Sequence, residues 1–346
     1  MNGLSLVPAP STELARKDFI SSQEVKWCPG CGDYTILAAV QGLLPQLGIA
    51  RENTVVLSGI GCSGRFPYYV GTYGMHSIHG RALTIATGLT ITRPDLAVMV
   101  VTGDGDALSI GGNHFIHTMR RNPNITVLMF NNRIYGLTKG QYSPTSELGK
   151  ITKSSPTGTV DTPLNPLSLA LGAEASFVAR TTDSDKTHLT ETIRAAFAHR
   201  GASFVEIYQN CSIFNDGAYD SLHAEDAEGF LLLEHNRPIL SASSRLGVVR
   251  ASDGELVVAP VDEVGMESVL VHDAHRLDPT LAFGLSRLTD TGIIRRAPIG
   301  VLRQVDRPSF DDMARAQVDT AMSNNGASTD ESIQRLLAGE DTWQVH

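Results

Sequence analysis

Val100-Val101-Thr102-Gly103-Asp104-Gly105-Asp106 and Met129-Phe130-Asn131-Asn132-Arg133-Ile134 decide the fold. Each is an apolar run (96–101 and 125–130) that stops abruptly at small polar residues, which reads as a short buried strand. Residues 107–121 between them have the spacing of a helix. A strand–helix–strand crossover makes its two strands parallel, so both C-terminal ends lie on one edge of the sheet. Asp104 and Asn132 then face one crevice. A carboxylate, an amide oxygen and glycines that let a phosphate approach the backbone are the parts of a magnesium–diphosphate site.

Outward from this unit the alternation continues. Residues 54–58 read as a strand running into Gly59-Ile60-Gly61-Cys62-Ser63-Gly64-Arg65, and Met75 to Arg81 leads into a small-residue helix over 82–92. Residues 176–180 and 203–208 read as strands around a helix over 185–200, and Asn210-Cys211-Ser212 follows the second. Such alternation predicts an α/β fold, a doubly wound and mostly parallel sheet. The glycine-, serine- and proline-rich stretch 133–166 is long for a loop in a compact domain, which marks it as functional or mobile. Near the start, Asp33 stands where an N-cap would, ahead of a helix from Tyr34. Beyond about 220 the pattern weakens to short strands near 231–233, 247–250 and 256–260, helices over 311–322 and 331–337, and a linker over 323–329. The division is an arm over 1–20, a catalytic domain over 21–215, and an irregular C-terminal lobe over 216–346 that covers the site or docks a partner.

Composition narrows the classes. The chain has 346 residues, 42% of them hydrophobic, and a formal net charge of −9. That balance argues against a nucleic-acid binder. No apolar stretch is long enough to cross a bilayer, and the first residues lack the basic and apolar regions of a secretory signal, so a cytoplasmic protein without a membrane partner is expected.

The four cysteines are Cys28, Cys31, Cys62 and Cys211. In a reducing compartment, a Cys-x-x-Cys with two distant partners points to a metal site or redox chemistry before a disulfide framework. Cys62 and Cys211 follow predicted strand ends, as Asp104 and Asn132 do, so a parallel sheet gathers all of them at one edge. Zinc and an iron–sulfur cluster are both open for four cysteines, although a zinc ribbon normally brings two paired knuckles and this chain has one knuckle with two singles.

Gly103-Asp104-Gly105 with Asn131-Asn132 resembles the thiamine-diphosphate motif. Together with Trp27-Cys28-Pro29-Gly30-Cys31-Gly32, Gly61-Cys62-Ser63 and Asn210-Cys211, the chain resembles the β subunits of 2-oxoacid:ferredoxin oxidoreductases over roughly residues 20 to 215. The stretch from Gly292 to Leu302 is also similar to that family's C-terminal part. The resemblance implies thiamine diphosphate bound through Mg2+ on Asp104, Asn132 and the Ile134 carbonyl. It implies a [4Fe–4S] cluster on Cys28, Cys31, Cys62 and Cys211. Gly61, Cys62, Ser63, His79, Gly103, Gly105, Asp106, Leu137 and Thr138 become cofactor contacts, with Gln141 a further candidate. The implied activity is CoA-dependent oxidative decarboxylation of a 2-oxoacid with reduction of ferredoxin. The implied partner is an α subunit, in an αβ or (αβ)2 assembly, that supplies the glutamate thiamine enzymes need. Arg65 is a candidate for pairing a second substrate carboxylate, which favours 2-oxoglutarate and its product succinyl-CoA over pyruvate, and His79 is a candidate catalytic contact. The other readings are a non-redox thiamine enzyme and a structural zinc protein.

Overall fold

The computed structural model describes residues 2–223, 228–289, 294–326 and 328–343. Among these, one sheet carries eleven strands. Six of them, Tyr73–His76 (β2), Thr54–Ser58 (β1), Ala97–Gly103 (β3), Ile125–Asn131 (β4), Ala202–Tyr208 (β6) and Phe177–Thr182 (β5), lie side by side in that order and pair in parallel. The remaining five come from the C-terminal part: Phe230–Leu233 (β7), Leu240–Ser241 (β8), Leu246–Arg250 (β9), Leu256–Pro260 (β10) and Ala297–Gln304 (β11). They extend the same sheet beyond β5, and β11 is antiparallel to β5 but parallel to β7.

Both faces of the parallel part are covered, which is why its strands read as unbroken apolar runs. In β4, Ile125, Val127 and Met129 belong to one core, and Leu128 and Phe130 to the other. The first core meets helices Ala82–Thr92 (α2), Gly112–Arg121 (α4) and Pro166–Gly172 (α5), and the second meets Asp33–Leu43 (α1) and Lys186–Ala198 (α6). Register then fixes the working edge. Gly103 pairs with Phe130, Asn131 with Tyr208 and Ser58 with Val101, so the segments leaving β1, β3, β4 and β6 emerge together.

The structure departs from the sequence reading in several places. The helix expected over 107–121 is two helices, Asp104–Leu108 (α3) and α4, broken at Ser109 to Gly111. Gly111 packs against the Asp106 and Ala107 carbonyls and against Gly80, where a side chain would collide. Asp33 is the first residue of α1 and not its cap, which is Gly32. Asp185 does cap α6, accepting the His188 N–H at 3.0 Å. Strand β2 was not expected, because its residues are largely exposed at the sheet edge and carry no alternation. Strand β11 was not read as a strand either, although Arg295 to Leu302 lies in the stretch singled out for family similarity; Gly292 and Ile293 fall outside the described residues. The C-terminal helices run Phe310–Asn325 and Asp330–Ala338, so the first takes in the start of the expected linker.

Candidate functional site

At the C-terminal edge of β1, β3 and β4 lies a cavity of about 100 Å³. Gly61, Cys62, Ser63, His79, Gly103, Asp104, Gly105, Asp106, Asn132, Ile134, Leu137 and Thr138 all line it. Asp33, Ile60, Phe130, Tyr135 and Gly136 complete the wall. Gly61 has φ +111°, which a side chain rarely tolerates. A Cβ on Gly105 would sit 2.2 Å from the Tyr135 ring, whose hydroxyl donates to the Gly105 carbonyl at 3.0 Å. Glycine there lets the backbone and Tyr135 close against each other.

Asp104 is buried, and its Oδ2 accepts from Ser143 Oγ at 2.5 Å and Thr145 Oγ1 at 2.6 Å. Thr145 Oγ1 is also 2.9 Å from Asn131 Oδ1. One hydroxyl carries one proton. Asn131 Oδ1 already accepts the Arg133 N–H at 3.2 Å, so the carboxylate takes the threonine's proton. Burial pushes the Asp104 carboxyl up to about 6, against the pull of the two hydroxyls. Behind it, Asn131 Nδ2 donates to Glu206 Oε1 at 2.7 Å, and Arg180 Nε donates to Glu206 Oε2 at 2.7 Å. Arg180 and Glu206 are each 1% exposed, and the guanidinium lies 4.8 Å from the Tyr208 ring centre. Asn132 is oriented separately: its Nδ2 donates to Gln209 Oε1 at 2.9 Å, and its Oδ1 accepts the Ile134 N–H at 3.2 Å.

Asp106 does other work. Its Oδ1 accepts the Ile60 and Gly80 N–H groups at 3.1 and 2.7 Å, and its Oδ2 accepts from Thr102. The carboxylate therefore pins the two glycine turns that frame the cavity. His79 Nδ1 lies 2.7 Å from Asp106 Oδ1, without hydrogen-bond alignment. Opposite, Asp33 is 1% exposed with Oδ2 buried and unpartnered among the described residues. Burial first, then the neighbouring Asp183 charge, lift its carboxyl to about 7. Two desolvated carboxyls, Asp33 and Asp104, lining one cavity make it a place for cations, which fits both a divalent metal and a thiazolium ring.

Cys62, Asn132, Gly136 and Leu137 also line a second cavity of about 200 Å³. Around it stand Cys28, Cys31, Cys62 and Cys211, with Lys26, Arg65 and Lys139. The cysteine segments are tied to one another. Trp27 Nε1 donates to the Cys62 carbonyl at 2.8 Å, Ser212 Oγ to the Pro29 carbonyl at 2.8 Å, and the Gly32 N–H to the Asn210 carbonyl at 3.1 Å. A Cβ on Gly136 would stand 3.5 Å from both Cys62 Sγ and Cys211 Sγ. Burial pushes the Cys31 thiol well up and the Cys62 thiol to about 12, with Asp33 adding to both and Arg65 opposing at Cys62. Lone thiolates are thus disfavoured here, and a cationic occupant is what this donor set would stabilise. Among the described residues, no three His, Cys, Asp or Glu groups converge on a single-ion site. Arg65 belongs to this second cavity, and its Nη1 donates to the Lys26 carbonyl at 3.0 Å. Gln141 turns to Thr138, donating from Nε2 to its carbonyl at 2.8 Å. His76 Nδ1 is 3.3 Å from the Tyr68 hydroxyl.

Sequence reading missed Ser143, Thr145, Glu206, Arg180 and Gln209. Ser143 and Thr145 sit in a loop that composition alone marks only as polar. Glu206 was visible as a charge within an apolar strand, a pattern that asks for a buried partner. Asp33 was taken for a cap.

The thiamine pyrophosphate enzyme C-terminal TPP-binding domain matches residues 59–207. The 2-oxoglutarate oxidoreductase subunit KorB of Mycobacterium tuberculosis is 57% identical over 98% of this chain and 91% of that subunit. The chain belongs to the β subunits of 2-oxoacid:ferredoxin oxidoreductases. The β subunit of that enzyme from Saccharolobus solfataricus is 45% identical over 55% of this chain and 63% of its own length. The solved 2-oxoglutarate:ferredoxin oxidoreductase of Magnetococcus marinus, with 2-oxoglutarate, coenzyme A and succinyl-CoA bound, superposes with a TM-score of 0.75. It is 31% identical and covers 97% of this chain and all of the matched one. The family and the fold expected from the sequence both stand, and the matched domain is a thiamine-diphosphate-binding one.

Proposed function

We propose that this β subunit, with an α subunit, carries out the oxidative decarboxylation of 2-oxoglutarate with coenzyme A to succinyl-CoA and CO2, passing the electrons to ferredoxin. The observation that carries the proposal is the shared wall. Cys62, Asn132, Gly136 and Leu137 border both the Asp104 cavity and the four-cysteine cavity, so an electron donor and its acceptor would be neighbours. Similarity at 57% identity along 98% of the chain to a subunit named for 2-oxoglutarate supports the substrate.

In this reading Asp104, Asn132 Oδ1 and the Ile134 carbonyl would hold the Mg2+ that accompanies the cofactor's diphosphate. When bound, thiamine diphosphate supplies the carbanion chemistry that decarboxylation needs. The chain's own residues position it. Asp106 fixes the turns that carry Ile60 and Gly80, and Tyr135 backs Gly105. Cys28, Cys31, Cys62 and Cys211 would hold a [4Fe–4S] cluster. Arg65, on the cysteine side of the shared wall, would pair the distal carboxylate of 2-oxoglutarate, and His79 would contact cofactor or substrate. Residues after about 215 would serve as cover and docking for the partner.

The test is the anaerobically purified complex of this chain and its α subunit, assayed with 2-oxoglutarate, coenzyme A and ferredoxin. CoA-dependent ferredoxin reduction is expected. A complex that holds iron and thiamine diphosphate but reduces no ferredoxin overturns the reading. Arg65→Ala should raise KM for 2-oxoglutarate and leave that for pyruvate unchanged; equal effects remove Arg65 from substrate recognition.

A further inference from the structure

Both hydroxyls that reach Asp104 go to the same oxygen. Ser143 Oγ and Thr145 Oγ1 lie 2.5 and 2.6 Å from Oδ2, and all three side chains are buried. The hydroxyls are themselves held. The Ser143 N–H donates to Ser146 Oγ at 2.8 Å, and Ser146 Oγ donates to the Arg133 carbonyl at 2.6 Å, which closes the 143–146 turn. Asn131 Oδ1, 2.9 Å from Thr145 Oγ1 and fixed by the Glu206–Arg180 pair, leaves the threonine's proton directed at Asp104. The carboxylate therefore cannot swivel to offer both oxygens to one ion without breaking two buried hydrogen bonds.

We propose that Ser143 and Thr145 are positioning residues that keep Asp104 a one-oxygen ligand and so make the cofactor's metal site selective for magnesium over calcium. Mg2+ requires near-octahedral geometry at short range, which a single carboxylate oxygen suits. Ca2+ takes more oxygens at longer range and accepts a carboxylate through both. A carboxylate clamped through Oδ2 favours the first ion and penalises the second. The inference rests on the reading of Asp104 as the metal ligand.

The experiment is equilibrium dialysis of thiamine diphosphate against the full αβ complex, freed of metal and titrated with MgCl2 or CaCl2. For Thr145→Val and for Ser143→Ala, the Mg2+ concentration for half-maximal cofactor retention should rise about tenfold, the scale of one lost hydrogen bond to a charged group. The Ca2+ requirement should change by less than about twofold, so the preference for Mg2+ narrows. Thr145→Ser should restore the wild-type preference. Thermal unfolding of each variant checks that it is folded, and either variant alone suffices. Equal weakening for both ions, or no change for either, overturns the proposal. Asp104→Asn keeps the two failures apart: if it too leaves the metal requirement unchanged, the assignment of Asp104 as ligand is what has failed.

Discussion

The two cavities share a wall but are built on opposite plans. Around Asp104 the chain supplies its own counterparts: Asp104 Oδ2 and both Asp106 oxygens meet hydroxyls or backbone N–H groups, and a buried Arg180–Glu206 pair stands behind. Around the cysteines the chain supplies four thiols outside any disulfide, one of them exposed and one, Cys31, accepting from Gln209 Nε2 at 3.4 Å, with Lys26, Arg65 and Lys139 nearby. The first plan is preorganised and pays for one buried ion pair; the second depends on what occupies it. The difference teaches that damage to the first should appear as lost stability or metal affinity, and damage to the second as lost occupant.

The sharpest way to break this contrast is at the support. Arg180→Met leaves Glu206 buried without its cation and should cost about 3–5 kcal/mol in chemical unfolding, because removing one partner strands the other. A loss under about 1 kcal/mol would show that the pair is dispensable. A second test uses pH. Asp104 has a folded-state value raised to about 6 from an ordinary 3.8. A raised carboxyl withholds no stability below the unfolded value and takes it away as pH climbs through the folded one. In the metal-free chain, Asp104→Asn should therefore match wild type near pH 4 and exceed it by up to about 3 kcal/mol at pH 8. A constant difference across that range would count against burial as the cause.

Third, the two occupants should separate. Asp104→Ala should weaken magnesium-dependent thiamine diphosphate binding roughly 100-fold or more while iron content holds, and Cys211→Ser should lower iron content while cofactor binding holds. Loss of both from either variant would show that the shared wall couples the cavities. Fourth, Gly105→Ala forces a methyl against the Tyr135 ring and should cost about 1–3 kcal/mol, with cofactor affinity reduced alongside. The smallest effect is at Arg65→Ala, where iron and thiamine contents should stay within about twofold, since the guanidinium donates to the Lys26 carbonyl.

Much of this was legible in the sequence because strand ends are marked twice, once by where apolar runs stop and once by the residue types that follow. Gly103-Asp104, Asn131-Asn132, Gly61-Cys62 and Asn210-Cys211 each carry both marks, and parallel register then brings them together. Strand β2 was hidden because an exposed edge strand carries no alternation, and β11 because a sheet position next to β5 is set by long-range pairing. Ser143 and Thr145 could not be read at all. Their role comes from a loop folding back about forty residues onto Asp104, and nothing local to Ser-Pro-Thr-Ser encodes that return. Asp33 was misread for a related reason: its position suits a cap, and only the helix start after Gly32 and the burial beside Asp183 show otherwise.

Trp27 gives the molecule an optical consequence. The chain has two tryptophans. Trp343 is 83% exposed, whereas Trp27 is packed edge-on against Tyr69 at 4.9 Å and donates to the carbonyl of Cys62, one of the four residues both cavities share. Emission should divide into a red, quencher-accessible component and a blue, protected one. With Trp343→Phe only the protected signal remains, and an indole joined to the common wall becomes an intrinsic light gauge for the filling of either chamber.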